Sequence, residues 1–337
     1  MRRAVVVTPR PRVRGGNRVT ALRWARHLRA LGWAVRIAAA EVSASDGTHD
    51  AAGFDADAFV ALNAWHCRAE IEHHAARRPH APLIVVVTGT DVYRANDRVV
   101  GDAQEHASEH SAAVARSFQL ATAVVVLQPL ALDELPANAR AKARVVFQSV
   151  GVHDCERSPR TDVFEALVLA NVRAVKDPLL TARAARFVGA SARLRVVLAG
   201  QVLERELEAE LAHESHTNAR FEHVGALSHR ESLERLARAG VLVSGSLREG
   251  GPIAVVEAAC MGVPVLATRI PGHVGLLGAD HPGLFACGDE RALARLLERV
   301  EREPAFRSEL VLAGRRCAEN ARPERERASI VALLAAE

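Results

Sequence analysis

Short runs of Val, Ile, Leu and Ala return along nearly the whole chain, each followed by a longer amphipathic stretch. In the first half they lie at 4–8, 34–38, 58–62, 83–88, 123–127 and 144–148, with helix-like segments at 17–31, 66–78 and 104–119. Most runs are continuously apolar and do not alternate with polar residues. That is the pattern of strands buried on both faces, and it points to a parallel sheet covered by helices. A polar break at 153–162 interrupts the series. Strand-like runs then resume at 165–171, 193–200, 220–225, 240–245 and 264–268, with helices expected at 177–187, 203–213, 229–238 and 252–261. The last stretch, 304–335, is helical in pattern.

The chain has 337 residues, more than a single core usually spans. The expected class is therefore α/β with two Rossmann-like domains, 1–155 and 156–320, their parallel sheets facing across a cleft. A C-terminal helix in 321–337 is expected to pack back on the first domain. Ligands of such sheets bind beyond the carboxyl ends of the strands. The net charge of +4 is spread along the chain, which suits an anionic small molecule and not a long nucleic acid. Five cysteines without a C-x-x-C pair suggest a reducing compartment, and no apolar run has the length of a membrane span. The apolar run near the N-terminus is too short for a signal peptide, so a cytoplasmic location is expected.

Residues 248–267 read REGGPIAVVEAACMGVPVLA. After Pro252 the only residue neither apolar nor Gly is Glu257, and Glu249 stands eight positions earlier. Gly250 and Gly251 permit close approach of a ligand, and Pro252 suits a first helical position. A helix N-terminus at this point offers N–H groups to a phosphate. Glu257 reads either as half of a buried salt bridge or as an acceptor for ligand hydroxyls. Arg173 and Lys176, in NVRAVKDP just after a strand, read either as solvated cations or as partners of a diphosphate. Gly15, Gly16 and Asn17 form a turn into a helix on which Thr20, Arg23 and His27 share a face, solvated or functional. Thr88, Thr90 and Asp91 follow another strand, where Asp91 serves equally as a helix cap. Three further patterns carry less. HASEH at 106–110 spells an inverted zinc-peptidase motif. Asp55 and Asp57 spell a D-x-D that precedes its strand, and His73-His74 reads as a solvated helix face.

The segment from Ser246 to Thr268 resembles glycosyltransferase family 4, whose members have the GT-B fold. The resemblance implies a metal-independent hexosyltransferase with a UDP-sugar as co-substrate and no other cofactor. It implies that Glu249 holds the donor sugar's hydroxyls and Glu257 the nucleotide ribose. Ser246, Gly250, Gly251 and Pro252 would line the donor, and Arg173 and Lys176 would meet its diphosphate. Residues 12–28, 86–94, 124–150 and 267–289 resemble a narrower group, the selenosugar synthases of selenoneine biosynthesis. That likeness implies transfer from UDP-N-acetylglucosamine or UDP-glucose to selenophosphate. Gly15, Gly16, Asn17, Arg23, Thr88, Thr90 and Asp91 are then the acceptor candidates. A hydroxyl acceptor, an epimerase of the same fold and a zinc hydrolase are the competing expectations.

Overall fold

The structure, a computed structural model, describes residues 1–9, 16–40, 56–89, 91, 103–151 and 156–335, and only the backbone of 103–108. Gly15, Thr90 and the first Asp of the D-x-D, Asp55, lie outside the described residues. The chain forms two compact units, Met1–Ser149 with Pro323–Glu337, and Val150–Arg322.

The first unit is built on β1 (Arg3–Pro9), β2 (Ala34–Ala40), β3 (Ala58–Leu62), β4 (Leu83–Val86), β5 (Ala123–Val126) and β6 (Ala143–Val145). They pair in parallel in the order β2-β1-β3-β4-β5-β6. Helices α1 (Gly16–Ala30), α2 (Arg68–Arg77), α3 (Ala103–Leu120) and α4 (Ala137–Arg140) connect them. Successive strand residues point to opposite faces. Val5, Val7, Phe59, Ala61 and Val85 join one buried cluster, and Ala4, Val6, Val60, Leu62 and Ile84 join another. Both faces are covered, which is why these strands read as unbroken apolar runs.

The second unit contains β7 (Phe164–Leu169), α5 (Leu180–Ala185), β8 (Leu194–Ala199), α6 (Glu208–Thr217), β9 (Phe221–His223), α7 (His229–Arg238) and β10 (Val241–Ser244). It continues through α8 (Ile253–Cys260), β11 (Val265–Thr268), α9 (Pro271–Leu277), β12 (Leu284–Phe285), α10 (Glu290–Arg302), α11 (Pro304–Ala313) and α12 (Arg315–Asn320). The parallel order β12-β11-β10-β7-β8-β9 is the doubly wound Rossmann order, with its switch point between β7 and β10. The last helix, α13 (Pro323–Ala335), belongs to the first unit, where Ile330 and Leu333 share a core cluster with Trp24 and Leu28.

Four details depart from the sequence pattern. The helix expected over 203–213 begins later, as a 3-10 turn at Arg205–Leu207 followed by α6. The stretch 304–335 is three helices, broken at Gly314 and before Pro323. Pro252 is not the first helical residue but the extended residue just before it. His74 is buried, stacked on Phe59 with ring centroids 4.7 Å apart, and not on a solvated face. No helix among the described residues is long and apolar enough to cross a membrane.

Candidate active site

β7 and β10 lie side by side at the switch point, so the segments that leave their carboxyl ends meet. After β7 the chain makes a 3-10 turn, Ala174–Lys176, and closes it with Asp177 in the left-handed region at φ 38°. Arg183 braces the turn, bonding Asp177 at 2.7 Å and Glu290 at 2.6 Å. After β10, Leu247 N–H donates to the Val175 carbonyl at 2.9 Å and fastens the two segments together. The result is a close ion pair: Lys176 Nζ lies 2.7 Å from Glu249 Oε1, and Ser246 Oγ donates to the same oxygen at 2.7 Å. Burial pushes the Glu249 carboxyl up, but the groups around it, the Lys176 ammonium foremost, together hold it below the ordinary carboxylate range. Glu249 is therefore an ionised acceptor at neutral pH.

A buried layer supports this pair. Thr268 Oγ1 donates to the Ser246 carbonyl. His273, fully buried, sits 2.8 Å from the Thr268 carbonyl through Nδ1 and 2.8 Å from Ser244 Oγ through Nε2. A carbonyl only accepts, so Nδ1 carries the proton and Ser244 donates to Nε2. Burial lowers the His273 pKa and keeps the ring neutral. Gly272 completes the layer, because a Cβ there would stand 2.4 Å from the Glu249 carbonyl oxygen. Gly272→Ala is expected to displace Glu249 and lower kcat/KM by roughly ten- to a hundredfold, with the far-UV circular dichroism unchanged. Wild-type kinetics in this variant would remove the close packing from the account.

Arg173 and Glu257 are engaged separately. Arg173 Nε bonds Glu204 Oε1 at 3.2 Å, and Glu204 Oε2 accepts the Ala174 N–H at 2.7 Å. Glu257 projects from α8, between the buried Val256 and Ala258, and its side chain is 6% exposed. Its Oε1 lies 2.6 Å from Nε2 of His229, the first residue of α7. Gly250 and Pro252 are buried and Gly251 is half-buried, immediately ahead of α8.

Within the first unit, Thr20, Arg23 and His27 are buried, which corrects the solvated face that the spacing allowed. Arg23 Nε bonds both oxygens of Glu326, at 3.0 and 2.9 Å, and its Nη2 donates to Gln148 at 3.0 Å. Gly16 opens α1, with Asn17 half-buried beside it. Asp91 accepts the N–H groups of Ala64, Thr88 and Gly89, and so ties two loops together. Thr88 Oγ1 accepts from Asn63 at 3.0 Å. His110 of the HASEH motif is buried against Trp65, with ring centroids 4.5 Å apart. Among the described residues no three His, Cys, Asp or Glu side chains are grouped to hold a metal. Asp57 accepts the Arg3 N–H.

Sequence reasoning missed His229, His273, Glu204 and Glu326. Only His229 had a local signal, the Ser228-x-x-Glu231 capping box that marks the start of α7. The other three depend on partners distant in sequence.

The chain is similar over its whole length to several solved structures. Sucrose-phosphate synthase from Thermosynechococcus elongatus superposes with a TM-score of 0.80 at 16% identity, covering 99% of this chain and 98% of that one. HepE from Anabaena, in complex with UDP and glucose, gives 0.77 at 12% identity and covers 100% of both chains. A glycosyltransferase from Rickettsia africae gives 0.72 at 13% identity, covering 99% and 97%. At such identities the likeness speaks for the fold, which is the α/β GT-B class with two parallel six-stranded sheets. Residues 156–321, which carry Arg173, Lys176, Ser246, Glu249 and Glu257, match the family Glycosyl transferases group 1.

Proposed function

We propose that the protein transfers a hexosyl group from UDP-N-acetylglucosamine or UDP-glucose to selenophosphate, yielding a selenosugar for selenoneine biosynthesis in the cytoplasm. The observation that carries the donor half is the Lys176–Glu249–Ser246 cluster at the switch point of the unit that matches group 1. It sets a cation beside an ionised acceptor, as a ligand combining a diphosphate with sugar hydroxyls requires. The full-length structural likeness to HepE, which was solved with UDP-glucose, supports a UDP-sugar. The acceptor rests on the resemblance of residues 12–28, 86–94, 124–150 and 267–289 to selenosugar synthases.

In the proposed step the selenium of selenophosphate bonds to the anomeric carbon. The bond from that carbon to the diphosphate oxygen breaks, and its electron pair leaves with UDP. Lys176 and Arg173 face the growing charge, and the N–H groups at the start of α8 add to their field. The nucleophile is already anionic and needs no strong base to deprotonate it. We assign the cationic role to these side chains and propose that neither metal nor cofactor is needed.

Incubating the protein with each UDP-sugar and selenophosphate in EDTA should release UDP. A sugar bearing the selenium isotope pattern should appear in the mass spectrum. UDP release without such a sugar would overturn the acceptor and leave the donor reading standing. Conversion of the UDP-sugar to an epimer with no acceptor present would replace the transfer reading altogether. Product formation lost to EDTA and restored by a divalent ion would overturn metal independence.

A further inference from the structure

We propose that His229 is a positioning residue for the nucleoside end of the donor, setting the carboxylate of Glu257 against the ribose hydroxyls. This rests on the reading of Glu257 as a ribose ligand and goes beyond it by naming the group that orients it. A carboxylate only 6% exposed on an otherwise apolar helix needs a donor to hold it charged and in one rotamer. Among the described residues the donor bonded to it is His229 Nε2, at 2.6 Å. The ionised carboxylate only accepts, so the imidazole carries its proton on Nε2. With Oε1 held there, Oε2 is the oxygen aimed at a ligand diol, since an ionised carboxylate has about four acceptor positions.

The imidazole is itself well placed to orient its partner. It is the first residue of α7, whose start is fixed by a reciprocal capping box: Glu231 N–H donates to Ser228 Oγ at 3.2 Å, and Ser228 N–H to Glu231 Oε2 at 2.6 Å. Leu233, Leu236 and Ala237 are buried and anchor the helix. The His229 side chain is 46% exposed, against 6% for Glu257, so the pair reaches from the interior to the surface. A purely structural salt bridge would predict that losing His229 weakens binding of all nucleotides alike. An orienting role predicts a loss specific to the hydroxyls that Glu257 receives.

The test measures UDP and 2′-deoxy-UDP binding by calorimetry in the wild type, His229→Ala, His229→Gln and Glu257→Gln. The wild type should prefer UDP about tenfold, the effect of one hydrogen bond to a charged group. His229→Ala should bind UDP about tenfold more weakly, bind 2′-deoxy-UDP nearly as before, and so lose the preference. His229→Gln, whose amide still donates, should recover most of it. A preference kept intact in His229→Ala would overturn the role of His229 alone. A wild type that does not distinguish the two nucleotides, with Glu257→Gln binding UDP normally, would overturn the ribose reading along with it.

Discussion

Lys176→Ala should lower kcat by roughly a hundred- to a thousandfold, the range seen when one preorganised stabiliser of transition-state charge is removed. The loss should fall on kcat more than on KM, because the charge that Lys176 meets grows as the diphosphate leaves. The side chain is 26% exposed and stands at a loop, so the fold should survive. A second consequence is electrostatic. Glu249 is held below the ordinary carboxylate range against the opposing effect of burial, with the adjacent ammonium the foremost cause. Without Lys176 burial prevails and the Glu249 pKa rises. Activity that needs the ionised carboxylate should then decline at a higher pH, on the acid side of the profile, than in the wild type. Lys176→Arg keeps the charge and should recover part of kcat and most of the profile, though a planar guanidinium cannot reproduce the ammonium's contact at 2.7 Å. Combining Lys176→Ala with Glu249→Gln should cost less than the sum of the two, because they act as one unit. A drop below about fivefold in Lys176→Ala, measured at saturating UDP-sugar, would sink the assignment.

That ion pair also marks where sequence reading stops. Lys176 and Glu249 each stood out locally, one in NVRAVKDP and the other before a glycine pair. Their bond joins residues 73 positions apart and exists because β7 lies beside β10. Strand order is a tertiary property, and no run of residues encodes it. The strands themselves were legible because helices cover both sheet faces, so that Val5 and Val6 are both buried on opposite sides. β12, two residues long, is too short to carry a pattern. Polar residues at helical spacing were ambiguous for a related reason. Thr20, Arg23 and His27 have the spacing of a solvated face, yet the carboxylate that accepts Arg23 is 303 residues away. Glu257 was the opposite case: its apolar neighbours alone showed that it was buried, while the capping box at His229 marked a helix start and not the carboxylate 28 residues away that His229 holds.

The Arg23–Glu326 pair supports the second large prediction, which concerns stability. Glu326 on α13 accepts Arg23 Nε, His27 Nε2 at 3.2 Å, and both the N–H and the hydroxyl of Ser149. Its side chain is 1% exposed. Burial alone would push its carboxyl up, but Arg23, His27 and Ser149 together bring it down to about 2. Since the folded value lies below the unfolded one of about 4.3, the contribution is fully present above pH 5 and is lost as pH falls towards 2. By linkage it is worth about 3 kcal/mol at neutral pH. Glu326→Ala strands the Arg23 guanidinium in the interior and should destabilise the first unit by about 3–5 kcal/mol, or roughly 6–20 °C in Tm. Glu326→Gln should flatten the loss of Tm between pH 5 and 3 relative to the wild type. An unchanged slope there would overturn the electrostatic account. Replacing both partners, Arg23→Met with Glu326→Leu, removes the stranded charge and should restore most of the stability. The same double variant separates the two roles open to Arg23. If it folds and keeps the wild-type KM for selenophosphate, Arg23 is a structural cation that fastens α13 to α1. A KM raised tenfold or more in a folded double variant returns Arg23 to the acceptor's site.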